Sequence, residues 1–583
     1  MAILGIDVGG TFTDAVLLDG GRLLTAKVPT ARAQEESVVA AAAAVRDGLE
    51  AEVVRFTHGT TTATNALLER KGARTAFVTT EGFEHLLQLR RQARPNLYRP
   101  CEDHPAPLVD LDRCYGVRER MGPEGVIEAL DPSTVPDVDA EAVAVCLLFA
   151  FRDPAHERAV AGELRRRLPS AHVVASHEVA PEFREYERAS TTVADAYLGP
   201  ATARYLRALA EASREAGLPE PLVMRSSGGV ASIGEAAAHP SWILVSGPAG
   251  GVVGAALVAG KAGFRNAISF DMGGTSTDVC LIADGVAERT SERSVAGFPV
   301  RLPMVDLHTV GAGGGSIAWV DPGGALRVGP ESAGADPGPA CYGRGGRLPT
   351  VSDANLLLGR LPTELPGGIR LDLEAARRAL GDIDPRDVVE VVNAEMLRAL
   401  RVVSVERGHD PRDFALVAFG GAGPLHACAL AEELGIGTVL VPAAAGVLSA
   451  LGLVASDERR DHVTSFVRPL GDVAAELPPE GEAGLRYRGQ SFELTVPLGP
   501  GLEERFHDAH EERYGYADRD RPVELVAIRT ADIVPGPEVR LPSAEPLHVA
   551  GPAVVELEGA TCWIPPGWVG DRDGSSTLIL TRS

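Results

Sequence analysis

An eight-residue pattern that occurs twice limits the folds available to this chain. Residues 7–14 read Asp-Val-Gly-Gly-Thr-Phe-Thr-Asp and residues 271–278 read Asp-Met-Gly-Gly-Thr-Ser-Thr-Asp, so that six of eight positions are identical. Each copy lies between two apolar runs, which span residues 3–6, 15–18, 267–270 and 279–282. Apolar runs on both sides of a Gly-Gly-Thr turn predict a β-hairpin. Because coincidence is a poor explanation for such a repeat in the same setting, we predict two related lobes.

The sequence between the copies alternates between two kinds of segment. Helical stretches rich in Ala, Arg and Glu, such as 157–168 and 201–216, separate strand-like runs at residues 75–79, 142–151, 172–175 and 222–225. This alternation is typical of layered α/β domains. Past residue 461 the pattern changes to short β-like segments separated by proline and glycine. We therefore predict an α/β fold with one lobe at residues 1–190, a second at 191–460 and a separate β-rich domain at 461–583.

The charge of the chain disfavours two classes of partner. The 80 acidic residues outnumber the 56 lysines and arginines, and the formal net charge of −24 repels phosphate backbones and anionic lipids. The most apolar later stretch, residues 249–263, is interrupted by glycine and is shorter than the roughly 20 residues of a membrane span. It predicts a small-residue helix that packs closely on another element. We expect neither a nucleic-acid nor a membrane partner.

Cysteine usage and the first residues favour the cytoplasm. The seven cysteines are an odd number, lie far apart and include no Cys-x-x-Cys pair. This pattern argues against a disulfide framework and against a zinc knuckle. Asp7 lies where a signal peptide would have its apolar region. We therefore expect a cytoplasmic protein.

The repeated pattern has the groups that a nucleoside triphosphate requires. Glycine N–H groups can approach phosphate oxygens closely, threonine hydroxyls can donate, and a carboxylate can hold Mg²⁺ directly or through water. A single copy would be better explained as a tight hairpin turn, but the duplication favours phosphate binding. Neither a Walker-type P-loop nor a strand–Gly-x-Gly-x-x-Gly–helix unit occurs. The candidate metal ligands are Asp7 and Asp271, and the candidate phosphate contacts are Gly9, Gly10, Thr11, Thr13, Gly273, Gly274 and Thr275.

Two further features have both a functional and a structural interpretation. Residues 419–426, Phe-Gly-Gly-Ala-Gly-Pro-Leu-His, place Gly420, Gly421 and Gly423 before a predicted helix start. These glycines could seat an adenosine or could form only a tight strand-to-helix turn. His58 and His308 could polarise a carbonyl or bind a metal, and a buried histidine that fixes a loop explains each of them equally well. A two-histidine metal site would require the two side chains to converge.

Two Asp-x-Gly-Gly-Thr hairpins and a late glycine-rich loop resemble the ATPase superfamily of actin, sugar kinases and heat-shock chaperones. More closely, the chain resembles the hydantoinase/oxoprolinase A subunits, a family that includes N-methylhydantoinase A, 5-oxoprolinase and the acetone carboxylase β subunit. Among the matching passages are His-Gly-Thr-Thr-Thr at 58–62 and Ser-Gly-Pro-Ala-Gly-Gly at 246–251. All six passages follow the family's order, at residues 58–72, 91–95, 246–251, 309–316, 336–343 and 514–517.

The resemblance implies a two-lobed actin-like ATPase built from duplicated ribonuclease-H-like domains, with ATP and Mg²⁺ as cofactors. It further implies phosphoryl transfer to the oxygen of a hydantoin or lactam carbonyl, or of a ketone enolate, which depends mainly on positioning and charge neutralisation. Asp271 would act as metal or water ligand and base, with Asp7 as its counterpart and His308 as a further catalytic residue. Substrate contacts are expected from His58, Thr60, Thr61, Asn65 and Asp306.

Family members of the A type commonly work with a B-type subunit, and no part of this sequence resembles a fused B portion. We therefore expect a B-type partner, and a homodimer is a further assembly to consider. The expected substrate is a cyclic amide such as hydantoin, N-methylhydantoin or 5-oxoproline. A ketone-activating carboxylase subunit, a nucleotide-regulated binding protein and a plain small-molecule kinase are the alternatives.

Overall fold

Two large sheets, each containing one copy of the repeated hairpin, form the framework of the protein. One sheet has ten strands and the other has nine. The computed structural model describes residues 2–47, 49, 51–99, 101–365, 369–541, 545–572 and 576–583.

The first sheet begins with the N-terminal hairpin. Strands β1–β12 are, in chain order, Ala2–Val8, Phe12–Asp19, Arg22–Pro29, Val53–Thr60, Thr75–Thr80, Cys114–Val117, Arg120–Gly122, Gly125–Glu128, Ala142–Cys146, His172–Ala175, Leu222–Met224 and Val230–Ser232. Helices α1–α8 are Gln34–Val45, Thr62–Leu68, Leu86–Leu89, Ala155–Arg167, Ser176–Val179, Glu185–Glu215, Ile233–Ala238 and Ser246–Lys261. β1 is antiparallel to β2 and parallel to β4, and β11 continues the parallel part beside β4. A four-stranded sheet, in the order β10-β9-β5-β6, is inserted between β4 and β11.

The second sheet repeats this arrangement. Strands β13–β26 are Ala267–Met272, Thr277–Ala283, Val286–Ala287, Arg289–Thr290, Arg293–Val295, Phe298–Val300, Met304–Val305, His308–Val310, Ser316–Val320, Leu326–Ser332, Glu364–Leu365, Ile369–Arg370, Ala415–Phe419 and Thr438–Pro442. Helices α9–α13 are Val351–Leu357, Leu373–Leu380, Pro385–Val403, Gly423–Leu434 and Leu448–Ala455. β13 is antiparallel to β14 and parallel to β25, and β25 is parallel to β26. The shared order of pairings confirms the predicted duplication and the two-lobed actin-like α/β fold.

The C-terminal segment contributes strands to both large sheets. Strands β27–β35 are Glu458–Pro469, Glu482–Tyr487, Leu494–Pro497, Val523–Val534, Leu547–Ala550, Ala553–Leu557, Ala560–Ile564, Trp568–Arg572 and Thr577–Arg582, and helices α14 and α15 are Leu470–Val473 and Leu502–Tyr514. β27–β30 continue the first sheet beyond β12, and β35 pairs with β26 of the second. These strands satisfy edge N–H and C=O groups that would otherwise be unpaired. The segment is β-rich as expected, while the three domain boundaries stay predictions.

The strands of both hairpins are covered by apolar layers. Leu4 and Ile6 in β1, and Ile268 and Phe270 in β13, are fully buried. Near-continuous apolar runs are typical of strands that pack on both faces. The runs that flank the repeated pattern therefore fold as central strands, which hold the two Gly-Gly-Thr turns rigidly.

Helix α8 confirms the predicted close packing of small residues. It packs on α13, and a Cβ at Gly254 would lie 2.6 Å from the Leu448 carbonyl oxygen. α13 also covers β1, where Gly5 leaves room for the Ala450 carbonyl. Within the described residues, no helix combines the length and apolarity needed to cross a membrane.

Candidate active site

The two Gly-Gly-Thr turns have the same hydrogen-bond geometry. The Gly9 N–H donates to the Phe12 carbonyl at 3.0 Å, and the Gly273 N–H donates to the Ser276 carbonyl at 3.0 Å. The tip residues of both turns, Gly10, Thr11, Gly274 and Thr275, are exposed. The predicted hairpins are therefore confirmed, and the glycine and threonine residues at their tips lie at the surface.

Four carboxylates lie at the bases of these hairpins. Asp7 stands opposite Asp14 in the first strand pair, and Asp271 stands opposite Asp278 in the second. Burial, and then the negative charges of Asp278, Asp7 and Asp14, raise the pKa of Asp271 to about 8. Because carboxylates of both hairpins act on Asp271, the bases of the two hairpins lie near each other.

The Asp7 carboxylate lies in a space kept open by two glycines. Its Oδ1 is buried and has no hydrogen-bond partner among the described residues. A Cβ at Gly59 in β4 would lie 2.5 Å from this oxygen, and one at Gly247 in α8 would lie 3.1 Å from it. Burial and the charge of Asp14 raise the pKa of Asp7 to about 7. A buried carboxylate oxygen without a partner is the expected position of a cation ligand.

The glycine-rich loop at residues 420–423, the candidate adenosine site, lies directly against Asp271. Gly420 has a φ of +76°, and a Cβ there would collide with Asp271 Oδ1. The Ala422 N–H donates to the Met272 carbonyl at 3.0 Å, which ties the loop to the end of β13. Gly421 is exposed, and the buried Gly423 begins α12. The structure thus brings Gly420 to the second hairpin, and binding of adenosine by this loop stays a prediction.

A glycine-rich segment within the family passage at 309–316 packs on the second turn. The Gly314 N–H donates to the Gly273 carbonyl at 3.0 Å, and the Gly315 N–H donates to the Gly274 carbonyl at 2.7 Å. A Cβ at Gly313 would lie 2.6 Å from the carbonyl carbon of Gly274. Only a glycine at position 313 allows the two backbones to come this close. The contacts of this segment hold the second turn in place from outside the sheet.

Two threonines of the repeated pattern, the candidate Thr13 and its counterpart Thr277, already bond within the protein. Thr13 Oγ1 lies 3.1 Å from Thr30 Oγ1, and Thr277 Oγ1 donates to the Ala312 carbonyl at 2.6 Å. Both side chains are fully buried. These threonines hold the turns, whereas the exposed Thr11 and Thr275 have hydroxyls that a ligand can reach.

Lys27 is a site residue that sequence reasoning missed. Its Nζ lies 2.6 Å from Asp14 Oδ1 and donates to the Gly446 carbonyl at 3.2 Å. Gly446 lies in the turn between β26 and α13, so that one side chain joins the first hairpin to the second lobe. The signal was present in the sequence, because Lys27 is one of only three lysines in the chain. Its charge also opposes the rise in pKa of Asp7 and of Asp271.

The 58–65 segment lies beside the first hairpin, and its His58 side chain is fully buried. His58 Nδ1 lies 3.2 Å from the Ile6 carbonyl, so that it must donate, and Nε2 then accepts from the Tyr205 hydroxyl at 2.8 Å. Burial lowers the pKa of His58 to about 4. A neutral ring with both nitrogens engaged fits the structural interpretation of this histidine better than a substrate or metal contact.

The other predicted substrate contacts in this segment also hold local structure. Thr61 Oγ1 donates to the Val8 carbonyl at 3.3 Å, and Asn65 Nδ2 donates to Thr61 Oγ1 at 3.3 Å. The Thr60 carbonyl accepts from the Ser246 hydroxyl at 2.8 Å. The segment therefore links β1 to the start of α8, and contact of its side chains with substrate stays a prediction.

His308 and Asp306 lie at the edge of the second sheet. In the β14–β20 pair, Thr309 stands opposite Asp278 and His308 stands opposite Val279. Because side chains alternate along a strand, His308 starts on the face away from Asp278. Thr309 Oγ1 instead donates to Asp278 Oδ1 at 2.5 Å. The catalytic role of His308 stays a prediction, and the structure identifies Thr309 as the residue beside the second acid pair.

Asp306 has a cationic partner, and the two candidate histidines lie in different sheets. Arg407 Nη1 lies 2.6 Å from Asp306 Oδ2. Burial and the charges of Arg293 and Arg407 lower the pKa of His308. In the described part of the chain no bond or ring contact joins His58 to His308. The structure therefore does not bring the two together as a metal site.

Comparison with known proteins assigns the chain to a family. Residues 3–168 match the model of the hydantoinase/oxoprolinase N-terminal region, and residues 188–462 match the hydantoinase/oxoprolinase model. Caprolactamase subunit alpha of Pseudomonas jessenii is 32% identical over 99% of both chains. This chain belongs to the hydantoinase/oxoprolinase family. The 5-oxoprolinase of Saccharomyces cerevisiae is 34% identical, over 81% of this chain and 43% of that protein.

Solved structures agree with this assignment over the whole chain. The ATP-dependent caprolactamase from Pseudomonas jessenii has a TM-score of 0.89 at 30% identity and is covered completely, as is this chain. Nucleotide-free acetone carboxylase has a TM-score of 0.78 at 24% identity, over 100% of this chain and 99% of that one, which shows a shared fold. The two lobes and the C-terminal strands of this chain therefore have the same fold as in those two proteins.

Proposed function

We propose that this chain binds ATP between the two hairpins and activates a cyclic amide by phosphorylation, as the ATP-using subunit of a ring-opening hydrolase. One observation carries the proposal: two turns with the same hydrogen bond and exposed Gly-Thr tips stand on strand pairs whose carboxylates act together on the pKa of Asp271. A triphosphate needs N–H and hydroxyl donors on both sides and charge neutralisation at the transferred group. The names of the relatives support ATP use and an amide substrate.

The reaction follows from this placement. The amide carbonyl oxygen attacks the terminal phosphorus of ATP, the bond between that phosphorus and the bridging oxygen breaks, and ADP leaves. Loss of the amide N–H proton gives an O-phosphorylated imidate, whose carbon is a far better electrophile than the amide. Water then adds at that carbon, the ring C–N bond breaks as the nitrogen takes up a proton, and an acyl phosphate forms. A second water hydrolyses the acyl phosphate to a carboxylate and free phosphate. The chain's own task is to hold the two reactants in line, which is the main requirement for phosphoryl transfer.

Asp7 and Asp271 are the residues that fit a magnesium ion. Both are carboxylates, the ligand type that Mg²⁺ prefers, and no described residue hydrogen-bonds to Asp7 Oδ1. Within the described residues, no group of three histidine, cysteine or acidic side chains could hold a metal alone. Mg²⁺ usually takes one or two carboxylates and completes its shell with water and phosphate oxygens. The ion would neutralise charge on the transferred group and orient the triphosphate.

We also propose a B-type partner subunit and a cytoplasmic location. Two relatives are named as subunits, caprolactamase subunit alpha and the acetophenone carboxylase gamma subunit of Aromatoleum aromaticum. The phosphorylated amide needs a hydrolytic step, which a second subunit would supply. All seven cysteines are free thiols, as in a reducing compartment.

ADP release by the purified chain tests the proposal. The assay would use Mg²⁺ with hydantoin, N-methylhydantoin, 5-oxoproline or acetone, with and without a co-expressed B-type subunit. We expect one cyclic amide to stimulate ADP release, and Asp271→Asn to abolish it. Stimulation by acetone alone would support the carboxylase alternative. No stimulation under any condition would refute the enzyme proposal and favour a nucleotide-regulated binding protein.

A further inference from the structure

The two hairpins differ in the residue that stands beside the second acid of each. Asp14 stands opposite Lys27 in the β2–β3 pair, and Asp278 stands opposite Thr309 in the β14–β20 pair. Directly opposite residues of an antiparallel pair lie on the same face of the sheet. Each acid pair therefore continues into a third side chain on that face, which is a lysine in the first lobe and a threonine in the second.

An arginine from another strand supplies a cation at this place in the second lobe. Arg293 in β17 donates through Nη2 to Thr309 Oγ1 at 3.0 Å, and Thr309 Oγ1 donates in turn to Asp278 Oδ1 at 2.5 Å. The charges of Asp278 and Asp306 act on Arg293, but none of the ion pairs among the described residues includes it. Its Nη1 is buried, and no described residue accepts a hydrogen bond from it.

Lys27 and Arg293 therefore differ in what they can offer a ligand. Lys27 is held by Asp14 and by the Gly446 carbonyl, and it joins the two lobes. Arg293 has an N–H group without an acceptor, which is an unfavourable state for a buried donor. An anion that arrives beside Asp278 gives this donor a charge-assisted hydrogen bond. The unused donor thus points to an anionic ligand.

The segment that contains Arg293 reaches from the second lobe to the first. Val295 and Phe298, in the β17–β18 hairpin, are buried in the apolar core around the first sheet. β17 also lies beside α2, the helix that contains the expected substrate contact Asn65. Because its Nη2 is bound to Thr309 of the second sheet, Arg293 lies between the 58–65 segment and the second acid pair.

The distance from Asp271 to this arginine suits a bound phosphoryl group. Asp271, Asp278 and Thr309 stand in one row across β13, β14 and β20, so that Thr309 is two strand spacings, about 10 Å, from Asp271. A chain of carboxylate, Mg²⁺, phosphate and guanidinium also spans roughly 10 Å, with metal–oxygen bonds of about 2.1 Å and a hydrogen bond of about 2.9 Å. A phosphoryl group bound through Mg²⁺ at Asp271 therefore comes within reach of Arg293.

We infer that Arg293 is a catalytic residue whose guanidinium donates to the phosphoryl group while this group passes from ADP to the amide oxygen, and that Thr309 positions the guanidinium. In this step the bond from phosphorus to the bridging oxygen breaks and the bond from phosphorus to the amide oxygen forms. Arg293 keeps its protons throughout. It stabilises the charge that spreads over the equatorial oxygens of the phosphoryl group. This inference rests on the proposed function and adds a residue to its transfer step.

The test measures binding of a mimic of the phosphoryl group in transfer. Calorimetry gives the affinity of wild type and Arg293→Gln for ADP with Mg²⁺, with and without aluminium fluoride, which occupies the place of the transferred group. We expect aluminium fluoride to tighten the binding of ADP to the wild type. Arg293→Gln should lower this gain on the order of 100-fold, as loss of one donor to transition-state charge does, and should change the affinity for ADP alone less than about threefold.

Two further variants make the comparison specific to this guanidinium. Arg289→Gln is the matched control, because Arg289 lies in β16 of the same segment and its Nε donates to the Ser227 carbonyl at 3.1 Å; it should keep the wild-type gain. Arg293→Lys keeps the charge and loses the planar fork of donors, and it decides if Arg293→Gln does not fold. A gain at least tenfold below that of the wild type supports the inference, and an equal gain refutes it.

The outcomes separate the inference from the proposed function. If aluminium fluoride gives no gain in the wild type, or the same gain in Arg293→Gln, the inference is wrong, while amide-stimulated ADP release still decides the proposed function. If Arg293→Gln weakens ADP alone as much as it weakens ADP with aluminium fluoride, the residue has no role specific to transfer and the inference is also wrong. If the wild type binds neither ADP nor ATP, both fail.

Discussion

Replacing Gly59 by alanine tests whether the Asp7 carboxylate must keep its observed position. The added methyl would lie 2.5 Å from Asp7 Oδ1, roughly 0.8 Å inside a close carbon–oxygen contact of about 3.3 Å. The Asp7 side chain must therefore rotate away. A shift of about 1 Å in a positioning group can lower catalysis on the order of 100-fold, equivalent to about 2.7 kcal/mol. The stability cost should be smaller, about 1 kcal/mol, because the atom that moves ends a side chain.

The assay is steady-state ADP release as a function of ATP concentration, with urea unfolding as the measure of stability. Gly260→Ala is the matched control, because Gly260 is exposed near the end of α8 and a Cβ there meets no atom within 4 Å. We expect the control to keep full kcat/KM and to gain up to about 1 kcal/mol of stability from helix propensity. A Gly59→Ala protein that folds normally and loses less than threefold in kcat/KM would refute the reasoning.

Two further predictions concern Lys27 and His58. Lys27→Met should raise the KM for ATP about tenfold, because the substitution removes a charged hydrogen-bond donor that joins the lobes at Asp14 and Gly446. Lys27→Arg keeps the charge and should recover part of the lost affinity for ATP. An unchanged KM in both variants would contradict this role of Lys27. The pKa of His58 is 6.5 in the unfolded chain and about 4 in the folded protein. The contribution of the neutral His58 to the free energy of unfolding is therefore fully present above pH 6.5, and it falls by on the order of 3 kcal/mol as the pH drops to 4. Urea unfolding across this range should show a shallower decline in His58→Gln than in the wild type, and equal slopes would exclude His58 as the cause.

Several properties of the protein follow from short stretches of sequence. The hairpins at 7–14 and 271–278 were predictable because a Gly-Gly-Thr turn and its flanking apolar runs are adjacent in the chain. Their duplication in turn predicted two lobes, and the family passages predicted the ATPase fold. The close packing of α8 also followed from composition, since a run of small residues favours a short distance between helices.

Other properties depend on which distant segments meet. Lys27 and Gly446 are 419 positions apart, and no local pattern indicates that the first contacts the second. The burial of Thr13 and Thr277 depends on the packing of the two turns against the segments that contain Thr30 and Ala312. The C-terminal strands have an ordinary β pattern, and only the unpaired edges of β12 and β26 decide which sheet each of them joins.

By itself, the sequence determined the paired turns, the acids Asp7 and Asp271 at their bases, and the family. The tertiary structure alone decided that carboxylates of both hairpins act on Asp271 and that both ring nitrogens of His58 are hydrogen-bonded, to Ile6 and to Tyr205. The physical reason is the range of the interactions involved. Turn geometry is set by neighbouring residues, whereas the burial and charge of a side chain depend on every segment that packs around it.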